Sequence, residues 1–325
     1  MNARNSWKTG LVALPLIWLG AFALAPRTAD AAGLDAPRHF AFLPWDTAVG
    51  RILGDEADSE GPKSFAAKAD GGLLILDQVN LRILDFDKDG RELAAYALPS
   101  TTFDDVGEAQ GRWVLALDRL VTRTLLVFDV DGAIVSEINL VGRGIEHAGL
   151  ITALIPRADG VWLEVSHRHS VRVLDAAMRP CERRVILGRP IEGEKALIGA
   201  LDRRGGADLS VVARNAAKPE AAVSIAGALP IRRIVALDAD AQGRVLAVLH
   251  EARFSEVSPF RVLEEQYRLI RLDADLRETG GGVSPWVLTE LDQRVEFRLG
   301  PDGAAWQMFF TWEGVFVVRW EGGTP

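Results

Sequence analysis

His167, Arg168 and His169 are the densest group of chemically capable side chains in the sequence. At the end of a strand, residues two apart project to one side, so the two imidazoles would share a face. Such a pair can hold a divalent cation, with a third ligand drawn from His147, His250, Glu146 or Glu251. The competing reading is a polar loop whose histidines are solvated. Asp85-x-Asp87-x-Asp89-Gly90 opens like a calcium loop. That loop requires a bidentate Glu at its twelfth position, where Tyr96 stands. Asp129-Val130-Asp131-Gly132 repeats the pattern, and both read as tight turns in which glycine takes up a positive φ. No Gly-x-Ser-x-Gly, Gly-x-Gly-x-x-Gly, phosphate loop or His-Glu-x-x-His occurs. Gly280-Gly281-Gly282 has no helix after it and reads as a loop. No resident cofactor is expected, and a divalent metal is the one ion these residue types suit.

Composition narrows the partners. The 325 residues carry a formal net charge of −8 with no basic run, which disfavours nucleic acid, because neutralising phosphates needs clustered Lys and Arg. Residues 1–31 read as an export signal. Arg4 and Lys8 precede an apolar stretch from Leu11 to Ala25, and Ala29-Asp30-Ala31 supplies a small-x-small cleavage pattern. The stretch is interrupted by Pro15 and falls short of the ~20 residues that span a bilayer. Cleavage is therefore expected, with no integral membrane segment afterwards and a periplasmic or secreted location. Cys181 is the only cysteine, so no internal disulfide can form. It is expected at a turn, and a monomer is expected.

The elements that would position these residues repeat. Six polar-glycine corners each follow a short apolar run and precede a second one: Ala69–Gly72, Ala109–Gly111, Ala158–Gly160, Arg203–Gly206, Ala241–Gly243 and Pro301–Gly303. Short strands at such a period predict an all-β, six-bladed β-propeller, with six hairpins of a β-sandwich as the alternative. The blades begin at about residues 62, 101, 143, 191, 232 and 286, after a linker over 32–61. A bulky residue recurs past each corner: Leu74, Trp113, Trp162, Leu209, Leu246 and Trp306. Blade-on-blade packing needs such a repeat. The last blade supplies only three strands, and an open edge is a liability. His39–Leu43 is therefore predicted to add the missing outer strand. Glu264–Arg268 is the single weak helix candidate.

One stretch is more specific. Residues 72–86, Gly-Leu-Leu-Ile-Leu-Asp-Gln-Val-Asn-Leu-Arg-Ile-Leu-Asp-Phe, resemble the NHL-repeat pattern, in which a strand ends in Asp-x-x-Asn-x-Arg-Ile and an aromatic follows. Asp77 and Asn80 would brace the turn while Arg82 pairs outward. The resemblance covers one blade closely and implies a six-bladed ring, most often with a binding role. Some relatives are lyases or lactonases with a metal on the central axis. In the gluconolactonase type that ion is held by a first-blade Glu with Asn and Asp from later blades. Here the strand Ser64–Lys68 carries no acid, and Glu60 is the sole substitute.

In a propeller the loops between second and third strands emerge on the same rim as the links between blades. That rim is expected to carry the ligand, through Asp77, Asn80, Asp105, Asp118, Arg119, His147, His167, His169, His250 and Glu251, with Arg214 and Asn215 beside them. Glu251–Gln266 is an insertion in blade five, too long for a plain hairpin, and reads as a cap over the rim. The expected function is an exported, non-catalytic module for a protein, peptide or glycan. The alternative is a metal-dependent hydrolytic propeller resembling lactonases and lyases, with its ion on the axis.

Overall fold

Runs such as Leu73-Leu74-Ile75-Leu76 are apolar without alternation, so the strand they form must bury both faces. The computed structural model describes residues 37–52, 59–213, 216, 218–287 and 293–321, and resolves how this is done. Leu73 and Ile75 pack toward one neighbouring sheet, Leu74 and Leu76 toward the other. Six four-stranded antiparallel sheets stand in a ring: a six-bladed β-propeller.

From the axis outward, blade one comprises Ser64–Ala67, Leu73–Asp77, Arg82–Phe86 and Glu92–Ala97. Blade two comprises Asp105–Ala109, Trp113–Asp118, Thr124–Phe128 and Ile134–Asn139. Blade three runs Ile151–Arg157, Gly160–Val165, His169–Asp175 and Pro180–Leu187. Blade four is Arg189–Ile191, Lys195–Leu201, Ala207–Ala213 and Ala221–Ile225. Blade five is Ile231–Ala239, Val245–Phe254, Val262–Leu272 and Glu278–Ser284. Blade six takes Phe297–Leu299, Ala305–Phe310 and Gly314–Trp320 from the end of the chain. Its outer strand is Arg38–Pro44, paired antiparallel with Gly314–Trp320, as the shortage of strands predicts.

Each gap between blades holds its own apolar cluster, and the repeated bulky residue serves the next blade round. Leu74 packs onto blade two, Trp113 onto three, Trp162 onto four, Leu209 onto five, Leu246 onto six and Trp306 onto one. Burying one such side chain stabilises by roughly 1.5–3 kcal/mol, so the six together set the ring. The corner between first and second strands explains its glycine. At Gly160 φ is +135°, and an added Cβ would lie 2.0 Å from the Leu174 carbonyl oxygen.

Several expectations need correction. In blade four the Arg203–Gly206 corner falls between the second and third strands, because the first strand is cut to three residues and Lys195–Leu201 becomes the second. Glu264–Arg268 lies inside a strand, paired to Val245–Phe254, so pairing overrides its weak helical tendency. Gly280–Gly282 belongs to the outer strand of blade five, and Cys181 to that of blade three. The insertion in blade five is a hairpin after all: its register continues through Glu251↔Gln266 to Phe254↔Val262, leaving only Ser255–Arg261 as the tip. The expected signal over 1–31, and Arg214 and Asn215, lie outside the described residues.

The NHL-like residues serve closure. The Asp77 carboxylate is fully buried and accepts from Gly50 N (3.0 Å), Asn80 Nδ2 (3.0 Å) and Arg82 Nε (2.9 Å). Asn80 Nδ2 also donates to the Gly50 carbonyl, and Arg82 Nη2 to that of Ala48. Arg82 thus turns back instead of outward, and blade one clamps the segment that follows the closing strand. Asp77→Ala would leave two donors and a guanidinium without their acceptor, and is expected to cost about 3–5 kcal/mol in urea unfolding. A loss below about 1 kcal/mol would show that the clamp is incidental.

Candidate functional site

Inner strands approach one another on the axis, so any charge they carry there must find a partner on another blade. Arg298 and Asp105 are such charges. Asp105 is fully buried and accepts from Ser64 Oγ (2.7 Å), Val106 N (2.9 Å) and Leu154 N (3.2 Å). Arg298 of blade six reaches past blade one, donating to the Phe65 carbonyl at 3.0 Å on the way, and ion-pairs with Asp105 of blade two. Arg294 pairs with Asp104 and donates to the Ile151 carbonyl of blade three at 3.0 Å. Arg189 of blade four holds Glu164 of blade three through two bonds of 2.6 and 2.9 Å and donates to the Leu237 carbonyl of blade five. Arg157 joins Asp238 of blade five and the Pro190 carbonyl of blade four.

These partners set the ionisation of the acids. Burial by itself would raise Asp105, but Arg298 and Arg294 together with its hydrogen-bond donors hold it below the ordinary carboxylate value. Burial dominates at neighbouring Asp104 and raises it, although Arg294 and Arg119 pull the other way. Glu164 is drawn well below its ordinary value, because Arg189, His167 and Thr152 outweigh its burial.

The strands alternate in direction, so the turns after first and third strands share one rim, and the second-to-third loops share the other with the links between blades. All ten predicted site residues belong to this loop rim or lie just beneath it, but most are engaged within the fold. Asp77 and Asn80 form the clamp described above. Asp118 caps its own loop, accepting from Leu120 N, Val121 N and Thr122 N at 3.1, 2.9 and 3.0 Å. Arg119 meets Asp104 at 2.7 Å and so joins Asp105 in the axial network. His167 Nδ1 lies 3.0 Å from Glu164, and His169 Nε2 lies 2.9 Å from the Gly144 carbonyl. His250 contacts Glu265 at 3.2 Å, and Glu251, fully buried, accepts from Gln266 at 2.8 Å. His147 is exposed at the start of a single 3-10 turn.

The histidines therefore do not converge, and among the described residues no three His, Cys, Asp or Glu side chains form a group that could hold a metal. Asp104, Asp105, Glu164 and Asp238 are already matched to guanidinium groups. Glu60 lies in a two-residue strand paired with Arg51–Ile52 and leaves the inner strands without the first-blade acid. The residues do not fit the axial ion that the lactonase-like reading requires.

What the loop rim leaves unsatisfied is apolar surface. Trp312, at the tip between the second and third strands of blade six, is 98% exposed. Leu81 stands at the same tip in blade one, Leu120 and Val121 in blade two, and Val257 and Phe260 on the blade-five hairpin, all exposed. Blades five, six, one and two are consecutive in the ring, so these residues follow one arc. Sequence reasoning weighted polar types and passed over Trp312, although an aromatic at the turn Thr311-Trp312-Glu313-Gly314 has no core to enter. It also passed over Arg298, a charge inside a short inner strand. A cavity of about 470 Å³ lies at the opposite end of the axis, among the turns of the other rim.

No family model matches the sequence, and no curated protein is similar to it. Among solved structures, a member of the DUF4221 family from Bacteroides vulgatus is similar with a TM-score of 0.52 at 10% identity, over 89% of this chain and 98% of its own. Hydrazine synthase from Kuenenia stuttgartiensis gives 0.48 at 13% identity, over 79% and 76%. A protein of unknown function from Bacteroides caccae gives 0.42 at 13%, over 69% and 82%. At such identities the likeness to the DUF4221 protein is one of fold alone.

The axial pairs predict an acid response. A carboxylate held low in the folded state stabilises fully above its unfolded value, near 4.5 for Glu164, and that contribution fades as pH falls further. Unfolding free energy is expected to drop between pH 5 and pH 2, and Glu164→Gln, less stable at pH 7, should show a shallower drop. Parallel profiles for the two proteins would contradict the assignment.

Proposed function

We propose that this propeller is an exported, non-catalytic binding module that captures a protein, peptide or glycan on its loop rim. The observation that carries the reading is Trp312. An indole left almost wholly in water at a loop tip gains most from being covered by a partner, and Trp is enriched among residues that dominate binding energy. Leu81, Leu120 and Val121 extend the apolar arc on the adjoining blades, and the exposed His167 and Arg168 border the same rim with polar groups. Both a protein face and the flat face of a sugar ring suit such a surface. The basic start, apolar stretch and Ala29-Asp30-Ala31 pattern support export, with Ala32 as the first mature residue. The NHL-like residues 72–86 support the same reading, since propellers of that type most often bind rather than catalyse. The ten predicted rim residues then act mainly by shaping the loops, with Asn80, His147 and His167 the three that stand exposed.

The test uses photo-crosslinking amino acids at position 312 and, as control, at Asp131 on the turn rim. Specific adducts are expected at 312 and not at 131, with the adduct's mass and chemistry separating protein from glycan. Trp312→Ala is expected to weaken the captured complex at least about tenfold without altering thermal stability, since nothing in the fold covers the ring. Equal labelling at both positions, or full binding by Trp312→Ala, would overturn the rim assignment.

A further inference from the structure

The end of the axis away from Trp312 is open. There the inner strands carry small residues, Ala66 and Ala67 in blade one, Gly107 in blade two and Ala239 in blade five, and leave the cavity of about 470 Å³ between them. That volume lies within the ~300–1,000 Å³ typical of small-molecule sites. Ala67, Pro156 and Leu299, each half-buried, give it an apolar wall.

Its charged lining divides into committed and uncommitted groups. Arg298 is neutralised by Asp105, and Arg157 by Asp238. Asp240 is enclosed by its own turn and by Arg244, which approaches at 2.6 Å. Glu108 differs. One carboxylate oxygen accepts from Ala69 N at 2.6 Å, yet among the described residues no cation pairs with it. Its burial without an ion pair raises its pKa. Glu192, exposed at the mouth, is likewise without an ion pair among the described residues. Lys68 acts on Glu108 only at a distance, so among the described residues the lining presents two carboxylates without a salt-bridge partner, and its two guanidinium groups are both paired.

We propose that this cavity is a second binding site, for a small organic cation whose ammonium group pairs with Glu108 and whose short aliphatic body lies on Ala67 and Pro156. Glu192 adds attraction at the mouth. An anion would meet two unpaired carboxylates, and a neutral analogue would leave Glu108 as it is. The site is separate from the loop rim, so its occupancy does not depend on the rim reading.

The experiment titrates the full chain with n-butylammonium, n-butanol and n-butyrate, following methyl resonances of Ala66, Ala67 and Leu299 by NMR. Saturable shifts are expected with butylammonium at the lowest concentration, with butanol only at higher concentration, and with butyrate not at all. Glu108→Gln keeps an acceptor for Ala69 N and is expected to weaken butylammonium binding at least about tenfold, the worth of one charge-assisted hydrogen bond. Glu192→Gln, at an exposed position that packing does not need, should weaken it about two- to threefold through lost attraction in water. Should Glu108→Gln not fold, the order of the three probes and Glu192→Gln decide. Equal or tighter binding of butyrate, no shift at the cavity methyls, or unchanged affinity in both variants would overturn the proposal.

Discussion

A carboxylate with no exposure to water sits where six sheets meet, and a guanidinium from four blades further along the chain neutralises it. The Asp105–Arg298 pair is the constraint on which the centre of the ring depends. Removing two charges from water costs several kcal/mol each, so the pair stands only because Ser64, Val106 and Leu154 complete the hydrogen bonding of Asp105. Those donors belong to blades one, two and three, which places the pair at a junction. A slip of any of these blades would leave a buried charge unmatched. Apolar packing between blades is far more tolerant of small displacements, so the ionic pairs define register where the clusters supply bulk stability. Arg294, Arg189 and Arg157 repeat the device around the axis.

This centre shapes what the molecule offers to others. With acids and arginines matched to one another, the loop-side end of the axis holds the blades together instead of presenting open ligating groups. Exposed apolar side chains stand instead at the loop tips. At the other end the inner strands shrink to alanine and glycine, and the same axis opens into a cavity. One ring thus presents two chemically unlike surfaces, an apolar arc above and a negatively charged recess below.

The sequence was most legible where period and composition dictated structure. Six corners and six bulky residues announced six blades, and the want of a fourth strand in the last one pointed to residues 39–43. Local pattern failed where a distant partner decided the outcome. Gly280–Gly282 carries no strand tendency, yet it pairs with Leu269–Arg271 because the blade needs an outer strand. Glu251–Gln266 looked like a loop because its residues are mixed, and only the register of two long strands makes it a hairpin. At the site, histidine and aspartate drew attention for their chemistry, whereas the polar groups that matter most to the axis are arginines. Their targets lie as far as 193 residues away, as Arg298 and Asp105 do, and no local spacing encodes that separation.

The closing strand and the Asp77 clamp fasten the two ends of the ring, but a fastener holds only if the blades are already in register at the centre. That dependence can be measured by a double-mutant cycle on Arg298→Met and Asp105→Asn, followed by urea unfolding at pH 7. Each single change strands a buried partner and is expected to cost about 3–5 kcal/mol, while the double change removes both charges and should cost at least about 2 kcal/mol less than the sum. Additive losses, or single losses near zero, would show that the axial pair does not hold the ring in register.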